Sequence, residues 1–239
     1  MAYLAIATDY DGTLAQDGQV EEATLVALRH WRSKGRKLIL ITGRQFDDLL
    51  QVCPCLDLFD WVVAENGAML YQPTSRIEKL LADRPVQEFI QRLSDRIQKA
   101  IQSTATSSSQ EFAKLRSNIA SVATGRVIVA TWEPHSVEAI ALIQEMGLDL
   151  QVILNKGAVM ILPNGIDKAT GLVAAANEMG IELDAIAGIG DAENDLVFLK
   201  ICGYSVAVAN ALPVVKEQVD HVTTHSRGAG VVELIEAIG

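Results

Sequence analysis

The stretch LAIATDYDGTLAQDG, residues 4–18, places a short run of small and apolar side chains directly before two acids. Residues 3–8 predict a buried strand, because the apolar run is too short for a helix and glycine follows it closely. Asp9 and Asp11 fall at the end of this strand. Two ionised carboxylates at this spacing repel each other, so we expect one of them to bind a cation or to take up a proton. The alternative interpretation is a simple turn, since Asp and Gly both favour turns.

Apolar runs and amphipathic segments alternate in the first and last thirds of the chain. RKLILIT, DWVVAENGA, DAIAGIGD and YSVAVA are typical of buried strands, and the segments between them show helical periodicity. This alternation predicts an α/β fold with a Rossmann-like parallel sheet that helices cover on both faces. Ligands of such sheets bind beyond the carboxyl ends of the strands. Asp9, Thr42 and Asp191 all lie at predicted strand ends of this kind.

The middle of the chain has a different pattern. PVQEFIQRLSDRIQKAIQ predicts an amphipathic helix, STATSSSQ a polar loop, and LQVILNKGAVMILP a hairpin that turns near Asn155 and Lys156. A hairpin combined with helices indicates a small α+β domain inserted into the α/β core. We therefore expect a core formed by residues 1–82 and 162–239, with an inserted cap domain at residues 83–161.

The composition argues against several classes of protein. The 239 residues are 49% hydrophobic and carry a formal net charge of −10, which suits a soluble globular protein with a sizeable core. Overall acidity argues against nucleic-acid partners and anionic membrane surfaces, both of which need a basic face. No apolar run approaches the roughly 18 residues of a membrane span, and the N-terminus lacks a secretory signal. Three cysteines in no disulfide or zinc pattern indicate reduced thiols in a cytoplasmic protein. Nothing in the sequence indicates the oligomeric state.

Three further segments could take part in phosphate or metal chemistry. In LILITGR, the Thr42 hydroxyl and the backbone N–H groups at Gly43 could hold phosphate oxygens, although Thr42 could equally be a helix cap. In GIDKATGL, Lys168 falls near a helix start, where a cation opposes the helix dipole unless an anion lies beside it. An exposed lysine is the alternative. In GIGDAENDL, Asp191 ends a strand and faces the expected crevice, whereas Asp195 suits the dipole of the following helix.

The ordered set DYDGT, ITGR, DK and GDAEND resembles the haloacid dehalogenase superfamily of phosphotransferases, with all four of its motifs present. The position of the insert, between ITGR and DK, resembles the class II cap of the Cof-type branch. That branch includes sugar phosphatases, sucrose-phosphate phosphatase, archaeal-type phosphoglycolate phosphatases and phosphomannomutases. The resemblance implies a Mg²⁺-dependent phosphatase that hydrolyses a small phosphorylated metabolite through an aspartyl-phosphate.

The resemblance also implies roles for the motif residues. Asp9 would be the nucleophile, and Asp11 would protonate the leaving alcohol and then act as a base toward water. Mg²⁺ would be held by Asp9, the Asp11 backbone carbonyl and Asp191, with Asp195 orienting a metal-bound water. The phosphoryl-binding residues would be Thr42, Gly43, Lys168 and Asn194.

Five residues are candidates for contacts with the rest of the substrate. ENGA, residues 65–68, predicts a structural turn, with a place near the substrate as the alternative for Asn66. The hairpin residues Asn155 and Lys156 could reach the substrate from the cap. Arg116 and Arg126 could bind a second anionic group. For all four cap residues, ordinary surface charge or polarity is the alternative.

Two other functions stay open. A phosphomutase of the phosphomannomutase type would return the phosphoryl group to a reoriented intermediate. A non-catalytic binding protein could use the same fold, because fold does not fix function. The presence of Asp9, Asp11, Lys168 and Asp191 together argues against that second alternative. The identity of the phosphorylated substrate is not indicated by the sequence.

Overall fold

The computed structural model describes residues 3–104 and 122–239, which divide into two compact units. The core unit comprises the chain as far as Leu81 together with Ile166–Gly239, and the insert unit comprises Ala82–Gly165. Each unit has its own sheet and its own hydrophobic core. None of the helices in these described residues combines the length and the apolar composition that crossing a membrane requires.

The secondary structure follows the alternation expected from the sequence. The strands are, in chain order, β1 (Ala5–Asp9), β2 (Lys37–Ile41), β3 (Trp61–Ala64), β4 (Met69–Gln72), β5 (Ile77–Leu80), β6 (Ala123–Thr124), β7 (Val129–Trp132), β8 (Leu150–Asn155), β9 (Ala158–Pro163), β10 (Ile186–Gly190), β11 (Tyr204–Ala207) and β12 (His221–Val222). The α-helices are Glu22–Ser33, Phe46–Val52, Gln87–Thr104, Ser136–Met146, Lys168–Met179, Leu196–Leu199, Pro213–Lys216 and Arg227–Ile238. Short 3₁₀ helices lie at Leu56–Leu58, Glu65–Gly67, Leu183–Ala185 and Glu193–Asp195.

The core unit contains an eight-stranded sheet in the order β12-β11-β10-β1-β2-β3-β4-β5. Neighbours from β12 to β3 pair in parallel, and β4 and β5 add an antiparallel edge. All five residues of β1 are buried, as expected for a strand that is covered on both faces. The predicted α/β class with a parallel core sheet is therefore confirmed.

The position of β1 between β10 and β2 decides where the functional groups lie. Its register pairs Thr8 with Ile189 on one side and Asp9 with Ile41 on the other. Because the three strands are parallel, their carboxyl ends meet at the same edge of the sheet. The residue that ends β1 and the residues that follow β10 and β2 therefore lie side by side, at the edge where open α/β sheets bind ligands.

The insert unit is a small α+β domain, as predicted. Its sheet has the antiparallel order β6-β7-β9-β8, and β8 ends at Asn155 where the predicted hairpin turn begins. Two helices, Gln87–Thr104 and Ser136–Met146, share a hydrophobic core with this sheet. Its buried residues include Phe89, Leu93, Ile97, Leu142, Val159 and Ile161.

In the core unit, the helix Lys168–Met179 packs closely on β3 because Gly171 has no side chain. A Cβ at Gly171 would lie 2.2 Å from Cγ1 of Val63 and 2.9 Å from Cα of Gly67. The glycine therefore sets the distance between this helix and the sheet. It thereby also sets the position of Lys168, the first residue of the helix.

We expect Gly171→Ala to destabilise the protein, although alanine is the better helix former by about 1 kcal/mol. The overlap with Val63 pushes the helix away from the sheet, and overpacking of this kind costs about 1–3 kcal/mol. Thermal unfolding should show a lower melting temperature. Val63→Ala in the same chain should restore part of the loss, because it removes the nearest atom. A melting temperature of Gly171→Ala at or above that of the wild type would contradict the close packing.

Candidate active site

A buried cluster of three acids lies at the carboxyl edge of the core sheet. Asp9 ends β1, Asp191 follows β10, and Asp195 lies in the 3₁₀ helix just beyond. Each offers a carboxylate oxygen, and these oxygens all lie within 4.8 Å of one another. Ionised carboxylates this close repel strongly in a buried place, so the cluster needs positive charge beside it.

Lys168 supplies positive charge to this cluster. Its Nζ donates to Oδ1 of Asp9 at 2.7 Å and to Oδ1 of Asp195 at 2.5 Å, and the residue is only 1% exposed. The alternative of an exposed lysine is therefore wrong. The helix dipole disfavours a cation at this position, and the two carboxylates are the anions that offset it. Asp167 caps the same helix, since its Oδ1 accepts from the Thr170 N–H at 2.9 Å.

Asp195 holds the loop that carries Asp191. Its Oδ2 accepts from the backbone N–H of Asp191 at 2.8 Å and from that of Ala192 at 2.9 Å. The side chain fits here because Gly190 has no Cβ: such an atom would lie 2.7 Å from Cβ of Asp195. With Lys168 on its other oxygen, Asp195 connects the helix start to the end of β10.

Burial changes the acid–base properties of the cluster. Burial and the nearby charges of Asp195 and Asp191 raise the pKa of Asp9 to about 8, and the ammonium of Lys168 only partly opposes this. Burial by itself would lower the pKa of Lys168, but Asp195 and Asp9 outweigh it, so that pKa lies above its ordinary value. Lys168 is therefore a cation at neutral pH. Any further positive charge near Asp9 would stabilise its ionised form.

We expect the titration of Asp9 to make the metal-free protein less stable as the pH rises. The pKa of Asp9 moves from 3.8 in the unfolded chain to about 8 in the folded one, so between these values the folded protein binds more protons. Stability falls with rising pH wherever the folded state binds more protons. Urea unfolding in EDTA at several pH values in this window should show wild type losing stability relative to Asp9→Asn. A difference between the two proteins that stays constant with pH would contradict the raised pKa.

Asp11 lies outside β1, and its carboxylate is held by Arg44 instead of joining the buried acids. The Arg44 Nε donates to Oδ2 of Asp11 at 2.6 Å, and Nη2 donates to Oδ1 at 2.8 Å. The side chain of Asp11 is 45% exposed, in contrast to 7% for Asp9. Two acids two residues apart thus have different surroundings, one buried and cation-paired, the other near solvent.

Thr42 and its neighbours form the loop that follows β2. The Thr42 hydroxyl accepts from the Arg44 N–H at 3.1 Å, and the Thr42 carbonyl accepts from the Asn66 N–H at 2.9 Å. Oδ1 of the buried Asn66 in turn accepts from Nδ2 of Asn194 at 3.1 Å. The structure therefore brings Thr42, Gly43, Asn66 and Asn194 to the same sheet edge as the acid cluster.

The predicted cap residues belong to the insert unit or lie outside the described residues. Arg126 is half-buried between β6 and β7, Asn155 ends β8, and Lys156 lies in the hairpin turn with φ of 47°. Arg116 lies outside the described residues. Roles for these four residues in substrate binding stay predictions.

Sequence reasoning did not assign a role to Arg44, although it is the last residue of ITGR. The available signal was the spacing of four from Asp48 in GRQFDDLLQV, a segment whose sequence predicts a helix; this spacing is typical of an ion pair. That pair is present, with Nη1 of Arg44 2.5 Å from Oδ2 of Asp48. The helix in the structure begins only at Phe46, after Arg44. The contact with Asp11 spans 33 residues of sequence and depends on the pairing of β1 with β2.

The acid cluster fits a divalent cation. Three buried carboxylates with the single ammonium of Lys168 leave an excess of negative charge. All the donors are carboxylate oxygens, which are the ligands that Mg²⁺ prefers. Asp9 and Asp191 are the acids placed to hold the ion, because both oxygens of Asp195 already accept hydrogen bonds. The nearby Oδ1 of Asn194 is buried and has no hydrogen-bond partner within the described part of the chain.

Comparison with protein families assigns the chain to a family. Residues 6–117 and 106–235 match the model of the haloacid dehalogenase-like hydrolases. The match covers most of the chain, so the chain belongs to the haloacid dehalogenase-like hydrolase family. The resemblance that the four motifs carry is confirmed, and so is the prediction of an enzyme.

Three known proteins illustrate how far the likeness extends. Phosphoglycolate phosphatase 2 of Saccharolobus solfataricus is 27% identical over 240 residues, covering 98% of this chain and 92% of that protein. The crystal structure of Thermoplasma acidophilum protein 0175 matches with a TM-score of 0.77 at 18% identity, covering 100% of this chain and 99% of the other. The HAD subclass IIB sugar phosphatase BT4131 matches with a TM-score of 0.72 at 19% identity, covering 98% of each chain. These two structures share the fold at low identity.

Proposed function

We propose that the chain is a Mg²⁺-dependent phosphatase of small phosphorylated metabolites. The observation that carries the proposal is the buried cluster of Asp9, Asp191 and Asp195 with Lys168, placed beside the separately held Asp11. Two carboxylates in different surroundings can divide nucleophilic attack and proton transfer between them. Phosphatases among the relatives at 27% identity support the same reaction class.

The chemistry of the chain's own residues would run in two halves. First, a carboxylate oxygen of Asp9 attacks phosphorus, the bond to the leaving alcohol breaks, and Asp11 gives its proton to the alcohol oxygen. The product of this half is an aspartyl-phosphate and a free alcohol. In the second half, Asp11 takes a proton from water as that water attacks phosphorus. Phosphate leaves, and the Asp9 carboxylate is regenerated.

The remaining residues of the site would bind and orient the phosphoryl group. Thr42, Gly43 and Lys168 would place donors and positive charge around its equatorial oxygens, where negative charge is greatest in the transition state. Asn194 would add a polar group from the 3₁₀ helix that follows β10. Mg²⁺, held by Asp9, Asp191 and the Asp11 carbonyl with Asp195 behind them, would supply Lewis-acid stabilisation of the phosphoryl charge.

The substrate we propose first is 2-phosphoglycolate, with sugar phosphates as the second class to be tested. The first follows from the relatives named as phosphoglycolate phosphatases, and the second from the sugar phosphatase of the same fold. The insert unit would provide substrate contacts through Arg116, Arg126, Asn155 and Lys156, and Asn66 would do so from the core. No nucleic-acid partner is proposed, because the chain carries a net charge of −10.

We also propose a cytoplasmic location. All three cysteines are free thiols, and the Sγ atoms of Cys53 and Cys55 lie 3.5 Å apart as a thiol pair. Free thiols at this spacing suit a reducing compartment. Alkylation of the protein in freshly lysed cells should label all three cysteines after unfolding without prior reduction.

The test of the proposed function is phosphate release from a panel of phosphorylated metabolites, ranked by kcat/KM. We expect turnover with Mg²⁺, loss of turnover in EDTA, and recovery when Mg²⁺ is added back in excess. Activity that persists in a sample verified as metal-free would contradict the metal dependence. Zero release across the panel with Mg²⁺ present would contradict the phosphatase itself.

A further inference from the structure

We propose that Arg44 is a positioning residue for proton transfer: it holds the Asp11 carboxylate in the orientation that reaches the leaving-group oxygen. The inference rests on the proposed function, because Arg44 has this task only if Asp11 is the acid–base group. Arg44 lies four positions from Asp48 and 33 positions from Asp11 in the sequence. Its contact with Asp11 connects the loop after β2 to the loop after β1.

The contact between the two side chains is a bidentate fork. Nε and Nη2 of Arg44 donate to separate oxygens of Asp11, at 2.6 and 2.8 Å. Two parallel hydrogen bonds from a planar guanidinium fix the plane of the carboxylate as well as its position. A carboxylate offers about four lone-pair sites, and the fork uses two of them. The others remain available to a leaving-group oxygen or a water.

Arg44 is itself held on several sides. Its Nη1 donates to Asp48 at 2.5 Å, and its guanidinium carbon lies 5.8 Å from the ring centroid of Tyr10. The Tyr10 hydroxyl donates to the Gly18 carbonyl at 2.9 Å, which fixes that ring. On the backbone, the Arg44 N–H donates to Thr42 and its carbonyl accepts from the Glu65 N–H at 3.0 Å. The fork therefore presents a fixed surface to Asp11.

Asp11 needs a partner that fixes the orientation of its side chain. It follows β1 in a turn, and nearly half of its side-chain surface is exposed. A short side chain in this setting samples several rotamers, and only some of them direct an oxygen toward the phosphoryl site. Catalytic groups lose large factors in rate when they are displaced by about 1 Å. Because Arg44 holds Asp11 in one rotamer before the substrate binds, this loss of rate is avoided.

The dependence of rate on the leaving group separates this role from a general structural one. An alkyl phosphate must release an alcohol, whose oxygen needs a proton as the bond breaks. p-Nitrophenyl phosphate releases a stabilised phenolate that leaves without one. Asp11 is also the base of the second half-reaction, which is the same for both substrates, so the comparison is made on kcat/KM, which covers only the steps up to phosphoryl transfer to Asp9. On that measure, a residue that acts through the acid Asp11 matters for the alkyl phosphate and little for p-nitrophenyl phosphate. A residue that supports the fold or binds the phosphoryl group matters equally for both.

The experiment compares kcat/KM for p-nitrophenyl phosphate and for the best alkyl phosphate of the metabolite panel. The variants are Arg44→Met, Arg44→Lys, Asp11→Asn and the double variant Arg44→Met with Asp11→Asn. Arg29→Met is the matched control, because Arg29 is an exposed arginine that also pairs with an acid, Glu22, on the helix after β1. Circular dichroism and thermal unfolding check that each variant folds.

We expect Arg44→Met to lower kcat/KM for the alkyl phosphate by about 10²-fold, within the range that general acid catalysis supplies, and kcat/KM for p-nitrophenyl phosphate by about threefold or less. Arg44→Lys keeps the charge but cannot form the fork, so its loss should resemble that of Arg44→Met. The double variant should be no slower than Asp11→Asn by itself, because the two residues act as one unit. Arg29→Met should match the wild type.

Other outcomes would show separately whether the positioning role of Arg44 or the acid role of Asp11 is wrong. Equal losses of kcat/KM on both substrates in Arg44→Met, or full recovery by Arg44→Lys, would overturn the positioning role. Additive losses in the double variant would overturn it as well. If Asp11→Asn itself shows no preference for the p-nitrophenyl substrate, the acid role of Asp11 in the proposed function fails. An unselective Arg44→Met beside a selective Asp11→Asn overturns the role of Arg44 and leaves that of Asp11 intact.

Discussion

Asp9→Asn should abolish phosphate release while leaving the protein folded and at least as stable in the absence of metal. An amide cannot attack phosphorus to form the acyl phosphate, so kcat should fall by at least about 10⁴-fold, as for other covalent nucleophiles. Stability should not fall: above the raised pKa of Asp9 the change removes one of three buried negative charges that share one ammonium, and below it the change replaces a neutral carboxyl with a neutral amide. The measurements are phosphate release, and thermal unfolding in EDTA.

The control for Asp9→Asn is Asp184→Asn, which makes the same change on an exposed side chain. Asp184 precedes β10 and thus lies at the opposite end of that strand from the acid cluster. This variant should keep wild-type rates. Intact-mass measurement after rapid acid quenching should detect one added phosphoryl group in the wild type and none in Asp9→Asn. Wild-type-like turnover by Asp9→Asn, with folding verified, would remove Asp9 from the nucleophile's role.

The parts of the fold that the sequence predicted depend on short-range pattern. The apolar runs that became β1, β2, β10 and β11 have the composition of strands buried on both faces, and glycines and acids mark their ends. The helix predicted after Asp191 proved shorter, as a 3₁₀ turn at Glu193–Asp195 followed by Leu196–Leu199. The turn is tightened there because Asp195 folds back to accept from two backbone N–H groups.

Residues of the site could be predicted from the sequence where the residue type is unfavourable for its position in a strand or a helix. A carboxylate that ends an apolar strand and a lysine that begins a helix both oppose simple physical preference, and Asp9 and Lys168 could be selected on that basis. Arg44 offers no such contradiction, because an arginine four residues before an acid is ordinary on a helix. Its fork to Asp11 exists only once β1 and β2 are paired. The contact of Asn194 with Asn66 joins residues 128 apart in sequence and likewise follows from the assembled sheet.

The second large effect is expected from Lys168→Met, measured first as stability in EDTA. The substitution leaves Asp9, Asp191 and Asp195 buried without the ammonium that pairs with two of them. Removing one partner of a buried ion pair costs about 3–5 kcal/mol. For a chain of this size that loss lowers the melting temperature by roughly 6–20 °C. Methionine has a similar length, so loss of packing contributes little to the change.

Two further measurements assign the loss to charge. Adding Asp9→Asn to Lys168→Met removes one of the repelling carboxylates, so the double variant should be more stable in EDTA than Lys168→Met by itself. Mg²⁺ should also raise the melting temperature of Lys168→Met by more than it raises that of the wild type, because the ion is then the main cation of the cluster. The variant should remain slow even when Mg²⁺ has restored its stability, since the ion does not replace the donor that Lys168 aims at the phosphoryl group. If Lys168→Met unfolded at the wild-type temperature in EDTA, the three acids would not depend on the ammonium, and the electrostatic account of the cluster would have to be abandoned.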